Sequence, residues 1–309
     1  KKSGKISASA SLNDAEAALR SYLKERQQQE RSKAGQLDLA TAAKLKPVKK
    51  QSLNNSLTNG KGNKLGQAKK NRPDNLVLEQ YNGETRTARV LAILMEFPDF
   101  PHNSIQPGET GMYYEDYTPE HYAELLFGEQ AWVAPNGHHA NSMKMYYEAQ
   151  SGGSYSVEGA VAGWYMAEKN AAYYGNNDNG DIRSLVREAL TAAAADPSVD
   201  LSQFDIEDRY DLDGDGDLWE PDGLVDHVMV FHSSVGEEAG GGQLGEDAIW
   251  AHRWNLGGIF GIPGTSTPIP YWGGEMGAFD YTVQPADSAI GVVAHEYGHD
   301  LGLPDEYDT

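Results

Sequence analysis

A mixed α/β (α+β) fold built on a twisted mixed sheet is predicted by three features of the sequence. Val90 to Met95 is a short, unbroken apolar run, the pattern of a strand covered on both faces. Asp181 to Leu190 places apolar residues at helical spacing and continues through alanines to Asp196-Pro197, which predicts a long helix packed on that sheet. Ile290 to Ala294 opens a further apolar helix near the end of the chain.

Composition sets the bounds. A chain of 309 residues with a 39% hydrophobic share can bury a sizeable core. No apolar run reaches the roughly 18 residues of a transmembrane helix. Lys1-Lys2-Ser3-Gly4-Lys5 lacks the apolar stretch of a signal peptide, so any such peptide is expected to have been removed already. Cysteine is absent, which excludes disulfides and thiolate metal ligands. The net charge of -21 is unevenly divided: residues 1–80 hold 17 basic and 7 acidic residues and carry +10, which leaves -31 for the remainder. A basic leader ahead of an acidic body predicts mutual attraction. Nucleic-acid binding by the leader is disfavoured, because the acidic body repels phosphates and Tyr22 is the only aromatic residue before position 81.

Asn13 and Glu16 form a helix-start pattern with Leu19, Tyr22 and Leu23 behind them on one face, so a helix is expected over 14–31 and a shorter one from Leu37 to Leu45. Pro47 to Asp74 is rich in Lys, Asn, Gly, Ser and Gln and reads as a flexible linker, either an activation segment or a plain tether. After the first strand, closed by Pro98 and Pro101, helices are predicted at Tyr117 to Leu126 and Ser142 to Ala149. Ser151-Gly152-Gly153 then turns into the alternating Tyr155, Val157 and Val161 of a strand or hairpin. Adjacent His138 and His139 point apart and read as exposed loop residues. Leu224 to Phe231 and Ile249 to Trp254 read as strands, the latter with His252 packed among aromatics. Trp272 to Gly277 is a glycine-rich loop, Phe279 to Val283 a strand, and Asp287 the expected N-cap of the last helix.

Asp211-Leu212-Asp213-Gly214-Asp215-Gly216-Asp217 through Asp222 matches the loop a hard cation needs. Asp211, Asp213 and Asp215 stand at positions 1, 3 and 5, a glycine at 6, Asp217 at 7 and a carboxylate, Asp222, at 12. The bland reading is an acidic solvent loop. Carboxylates this crowded repel one another without a cation, which favours a structural Ca²⁺.

In the last helix His295 and His299 are four residues apart, so both imidazoles fall on one face a single turn apart and can share a zinc ion. Glu296 completes an H-E-x-x-H run and is placed to act as general base toward a metal-site water. Gly302 can end the helix with a positive φ, and Asp305, three residues on, is the candidate third ligand, with Glu306 the weaker one. The alternative is a buried helix whose histidines only make hydrogen bonds. The pattern H-E-x-x-H-x-x-G-x-x-D resembles the metzincin motif, with Asp where most members of that group have His.

Together with Thr87 to Asp99 and Ser151-Gly152-Gly153 through Gly163-Trp164-Tyr165, the segment from His295 to Thr309 resembles the immune inhibitor A type of secreted bacterial metallopeptidase, over roughly residues 85–309. The resemblance implies a zincin/metzincin-like catalytic domain over 81–309, a catalytic zinc on His295, His299 and Asp305, structural calcium, extracellular cleavage of protein or peptide substrates, and further domains behind. It also implies a pro-segment at the front, over residues 1–80 with their linker, and the opposed charges predict that this segment blocks the cleft as an inhibitor. With no cysteine available, Asp74 or Glu79 is a candidate for the temporary zinc ligand. Phe279 to Val283 would lie at the cleft edge, and His232 and Glu237 resemble family positions, with a second metal site there the lesser alternative. One departure stands out: the last methionine is Met276, so the part bearing the Met-turn is expected either beyond Thr309 or on a separate fragment. Two rival readings remain. One is a thermolysin-like enzyme with a distant Glu as third ligand; the other is a non-catalytic extracellular calcium-binding module with a vestigial metal helix, against which an intact Glu296 argues.

Overall fold

The structure is a computed structural model that describes residues 81–269 and 272–304; the helices and linker expected in the leader, and Asp305 and Glu306, lie outside them. The described elements are, in order, β1 (Arg86–Glu96), α1 (Pro119–Phe127), β2 (Trp132–Val133), β3 (His139–Ala140), α2 (Met143–Gln150), β4 (Tyr155–Met166), α3 (Ala171–Gly175), α4 (Ile182–Ala195), β5 (His227–His232), β6 (His252–Gly261), β7 (Gly277–Pro285) and α5 (Ile290–Asp300).

The mixed α/β prediction holds. A five-stranded sheet runs in the order β4-β1-β5-β7-β6. Its first four strands are parallel, and β6 alone is antiparallel, paired to β7. Val90 to Met95 in β1 are buried without a break. Because alternate strand residues point to opposite faces, such a run requires cover on both sides. Two groups of helices supply it. α1, α2 and α5 touch one another and pack on β4, β6 and β7, while α3 and α4 form a second pair whose longer member packs on β1, β4 and β6. In α4 the buried residues Leu185, Val186, Ala189, Leu190 and Ala193 make one stripe at helical spacing.

Three helices begin as their local sequences dictate. The side chains of Thr118, Ser142 and Asp181 each accept a hydrogen bond from the backbone N–H three residues on. Tyr122 of α1 reaches across the sheet end: its ring lies 4.7 Å from that of Phe231 and its hydroxyl donates to the Ala286 carbonyl at 3.0 Å. At Gly159 of β4 there is no room for a side chain, since a Cβ would lie 1.9 Å from the Val90 carbonyl oxygen.

Two expectations are corrected. The segment from Phe279 to Val283 does not form the sheet edge: β7 pairs with β5 on one side and β6 on the other, and all nine of its residues are buried. Its apolar residues fall on both faces, which suits an interior strand, whereas β6, with only Asn255 and Leu256 buried, takes the edge. Asp287 does not cap α5 either. The N-cap is Ala289, without a side-chain bond, and the Asp287 carboxylate accepts instead from the Gly236 N–H at 3.3 Å. His138 and His139 are exposed, as expected, but His139 belongs to β3, paired with Val133, and not to a loop.

Candidate metal centre and active site

α5 is a three-turn helix with an uncapped start, so its end and its flanks must hold it. Gly302, at φ 91°, closes it: the Gly302 N–H donates to the His299 carbonyl at 3.0 Å and the Leu303 N–H to the Gly298 carbonyl at 2.9 Å. This pair of bonds is the Schellman arrangement, and a residue with a Cβ adopts that φ only at a cost. Along its length the Tyr147 hydroxyl donates to the Ala294 carbonyl at 2.7 Å, and the hydroxyls of Tyr155 and Tyr297 lie 2.7 Å apart. Gly298 gives Tyr147 its space, for a Cβ there would lie 3.3 Å from the Tyr147 hydroxyl.

His295 and His299 converge on this helix, with their Nε2 atoms 3.1 Å apart. Two nitrogens bound tetrahedrally to one zinc, each at about 2.0–2.1 Å, lie roughly 3.3 Å apart, so this pair fits a shared ion. His299 Nδ1 sits 2.8 Å from the Leu303 carbonyl. A carbonyl only accepts, so Nδ1 carries the hydrogen and the lone pair on Nε2 is turned toward His295. Glu296, between them, is 6% exposed. Asp305, Glu306, Asp74 and Glu79 lie outside the described residues.

Behind the last turn lies a cluster of buried charges that the sequence reading did not single out. His227 Nδ1 is 2.5 Å from Asp300 Oδ2, and its Nε2 is 3.1 Å from Glu207 Oε1. With a carboxylate at each nitrogen, both nitrogens donate, and the ring is an imidazolium. Burial and the nearby Arg209 push its pKa down, but Glu207 and Asp300 outweigh them and raise it to about 9. Arg209 ion-pairs with Asp280 and Asp300 at 3.4 Å each, and Arg253 pairs with Asp280. Three cations thus face three carboxylates, and the Asp300 carboxyl is held well below its usual range despite its burial. A charged residue inside each of two apolar runs, His227 and Asp280, was the available signal.

The acidic loop is divided. Asp211, Asp213 and Asp215 bring carboxylate oxygens within 4.8 Å of one another, and so do Asp208, Asp213 and Glu220. Asp217 is exposed and its carboxylate accepts from the Trp219 N–H at 3.0 Å. Asp222 stands in a different group, buried with Asp205 and Asp226. Its carboxylate accepts from the Leu224 N–H at 2.7 Å, and burial, reinforced by Asp208 and Asp205, raises its pKa well above the usual range. Asp205, Asp208, Glu220 and Asp226 are thus the members that motif counting missed. His232 and Glu237 do not meet: His232 is buried with Nδ1 2.9 Å from the Ser234 hydroxyl, while Glu237 accepts from Asn177 at 2.7 Å.

Residues 77–309 match the model of the family described as immune inhibitor A peptidase M6, catalytic domain. The chain is 56% identical over 235 residues to the pre-pro-metalloprotease PrtV of two Vibrio cholerae serotype O1 strains, a match covering 74% of this chain and 26% of that protein. It is 52% identical over 238 residues to immune inhibitor A of Bacillus thuringiensis subsp. alesti, covering 74% of this chain and 34% of that protein. The chain therefore matches only about a quarter to a third of the length of these relatives.

The charge cluster predicts a pH dependence of stability. The folded pKa of His227 lies above the roughly 6.5 of a free histidine, so its contribution is fully present below pH 6.5 and is lost as pH rises through about 9. Thermal unfolding of the native protein and of His227→Gln should differ most below pH 6.5, by an amount on the order of 3 kcal/mol, and converge near pH 10. A gap that stays constant from pH 6 to 10 would contradict the charged assignment.

Proposed function

This chain belongs to the immune inhibitor A peptidase M6 family, a family of metallopeptidases, and from that premise we propose that it is a zinc-dependent endopeptidase, made as a precursor and secreted. The observation that carries the reading is the pair of Nε2 atoms 3.1 Å apart on α5, with Glu296 between their residues. His295 and His299 would hold the zinc, with Asp305 as third ligand on the strength of the motif. Zinc bound there supplies a Lewis acid that polarises a peptide carbonyl and acidifies a water. Glu296 takes the proton of the attacking water and delivers it to the leaving amine, and its burial strengthens that exchange by excluding bulk solvent. The sheet supports a zincin-like reading of the domain, since its antiparallel edge strand, β6, packs against α5 and offers backbone groups to an extended peptide.

The printed name of the Vibrio cholerae relative, a pre-pro-metalloprotease, supports the precursor reading. So does charge: a leader of +10 precedes a body of -31, and opposite charge suits residues 1–80 to act as an inhibitory pro-segment. Protein or peptide substrates and an extracellular location follow the family reading. Calcium is proposed for the loop at Asp211, Asp213, Asp215 and Asp217, and the crowded carboxylates support it. Asp222, buried with Asp205 and Asp226, would serve a neighbouring position instead of closing that loop.

Two measurements check this. In the full-length protein Glu296→Gln should keep its zinc and lose roughly 10²–10⁴ of its caseinolytic rate, the usual contribution of general base catalysis; unchanged casein cleavage would remove Glu296 from the mechanism. Millimolar Ca²⁺ should raise the melting temperature of the native protein, and Asp213→Asn, whose residue is shared by two of the acidic groups, should abolish most of that shift. An equal shift in both proteins would refute calcium at this loop.

A further inference from the structure

The metal pair depends on the C-terminal turn of the helix that carries it. His295 and His299 keep their separation only while the backbone through 299–303 stays regular, and the last carbonyls of any helix lack partners within it. His227 meets the side chain of that turn, at the Asp300 carboxylate, and Arg209 reaches its backbone. Arg209, 6% exposed at its side chain, donates through Nη2 to the backbone carbonyl of Asp300, the residue directly after the second histidine. It also ion-pairs with the Asp300 carboxylate at 3.4 Å. Its other terminal nitrogen, Nη1, donates to the Asp226 carbonyl at 2.5 Å and pairs with Asp280 at 3.4 Å. The guanidinium therefore ties the end of α5 to the chain entering β5 and to the middle of β7.

The position suits the chemistry. A cation at a helix C-terminus meets the negative end of the helix dipole, and the planar guanidinium spreads its donors over two carbonyls and two carboxylates, more partners than the three donors of one ammonium can serve. From these contacts we infer that Arg209 is a positioning residue for the metal centre: by fixing the turn that carries His299 and the Leu303 carbonyl behind it, it sets the geometry in which the two imidazoles share one ion. Arg209 touches neither histidine and takes no part in proton transfer. The inference rests on the zinc reading of His295 and His299 given above.

The test measures zinc retention per folded molecule in the full-length, zinc-loaded protein, as the rate of zinc transfer to a chromogenic chelator. Arg209→Lys is compared with the native protein and with Tyr210→Phe, which removes a buried bond to Asp280 of 2.9 Å without touching α5. Arg209→Lys should lose zinc about 10-fold faster or more, in line with the 10–100-fold effects of groups that orient metal ligands. Tyr210→Phe should melt at a lower temperature with native zinc retention. In the same preparations Arg209→Lys should lower kcat with KM nearly unchanged. Equal zinc release from all three proteins overturns the inference. Should Arg209→Lys not fold, Asp280→Asn, which removes one ion pair from Arg209 and leaves both of its carbonyl bonds, should still speed zinc release several-fold, and native release from it is likewise contrary. Failure of the native protein to take up zinc is a different result, which sinks the zinc reading itself.

Discussion

Two imidazole nitrogens 3.1 Å apart on adjacent turns of one helix set the demand that the surrounding structure meets. The i, i+4 geometry brings the rings together without further help, but only for as long as the helix is regular. α5 is short and has no side-chain cap at its start, so its intrinsic stability is small and its order comes from tertiary contacts. Those contacts are directional: Tyr147 on the Ala294 carbonyl, Tyr155 against Tyr297, the Leu303 carbonyl on His299 Nδ1 and Arg209 on the Asp300 carbonyl. Each joins a backbone or side-chain atom of the helix to an atom outside its regular hydrogen bonding, and together they orient the histidines more narrowly than apolar packing alone could.

The buried charges behind α5 are costly in isolation. Desolvating Arg209, Arg253, His227, Asp280 and Asp300 is tolerable because each cation lies against a carboxylate and each carboxylate against more than one donor. Such a network adds little net stability over an apolar core, but it admits one arrangement of the chain, whereas packed methyl groups admit several. That property is useful where the end of a short helix must stay in register with strands β5 and β7.

What could be read from the sequence was local. The run from Val90 to Met95, the alanine-rich α4, the spacing of His295 and His299 and the positive φ of Gly302 each depend on neighbours within a few residues, and each appears in the structure. What could not be read depends on distant pairing. The interior place of β7 follows from the order in which strands join, which periodicity does not encode. Asp222 sits at the twelfth loop position by count, but Pro221 and Gly223, at φ 86°, redirect the chain, and the backbone N–H groups of Asp222 and Gly223 bind Asp205. Arg209 finds its partners 71 and 91 residues away, beyond the reach of any local pattern.

Counting metal decides whether His295 and His299 hold a catalytic zinc. Full-length protein purified without added metal should contain about one zinc per chain by mass spectrometry, and His299→Ala, if folded as the native protein is, should contain almost none. Equal zinc in the two proteins, or none in the native one, would rule out a zinc held by this pair.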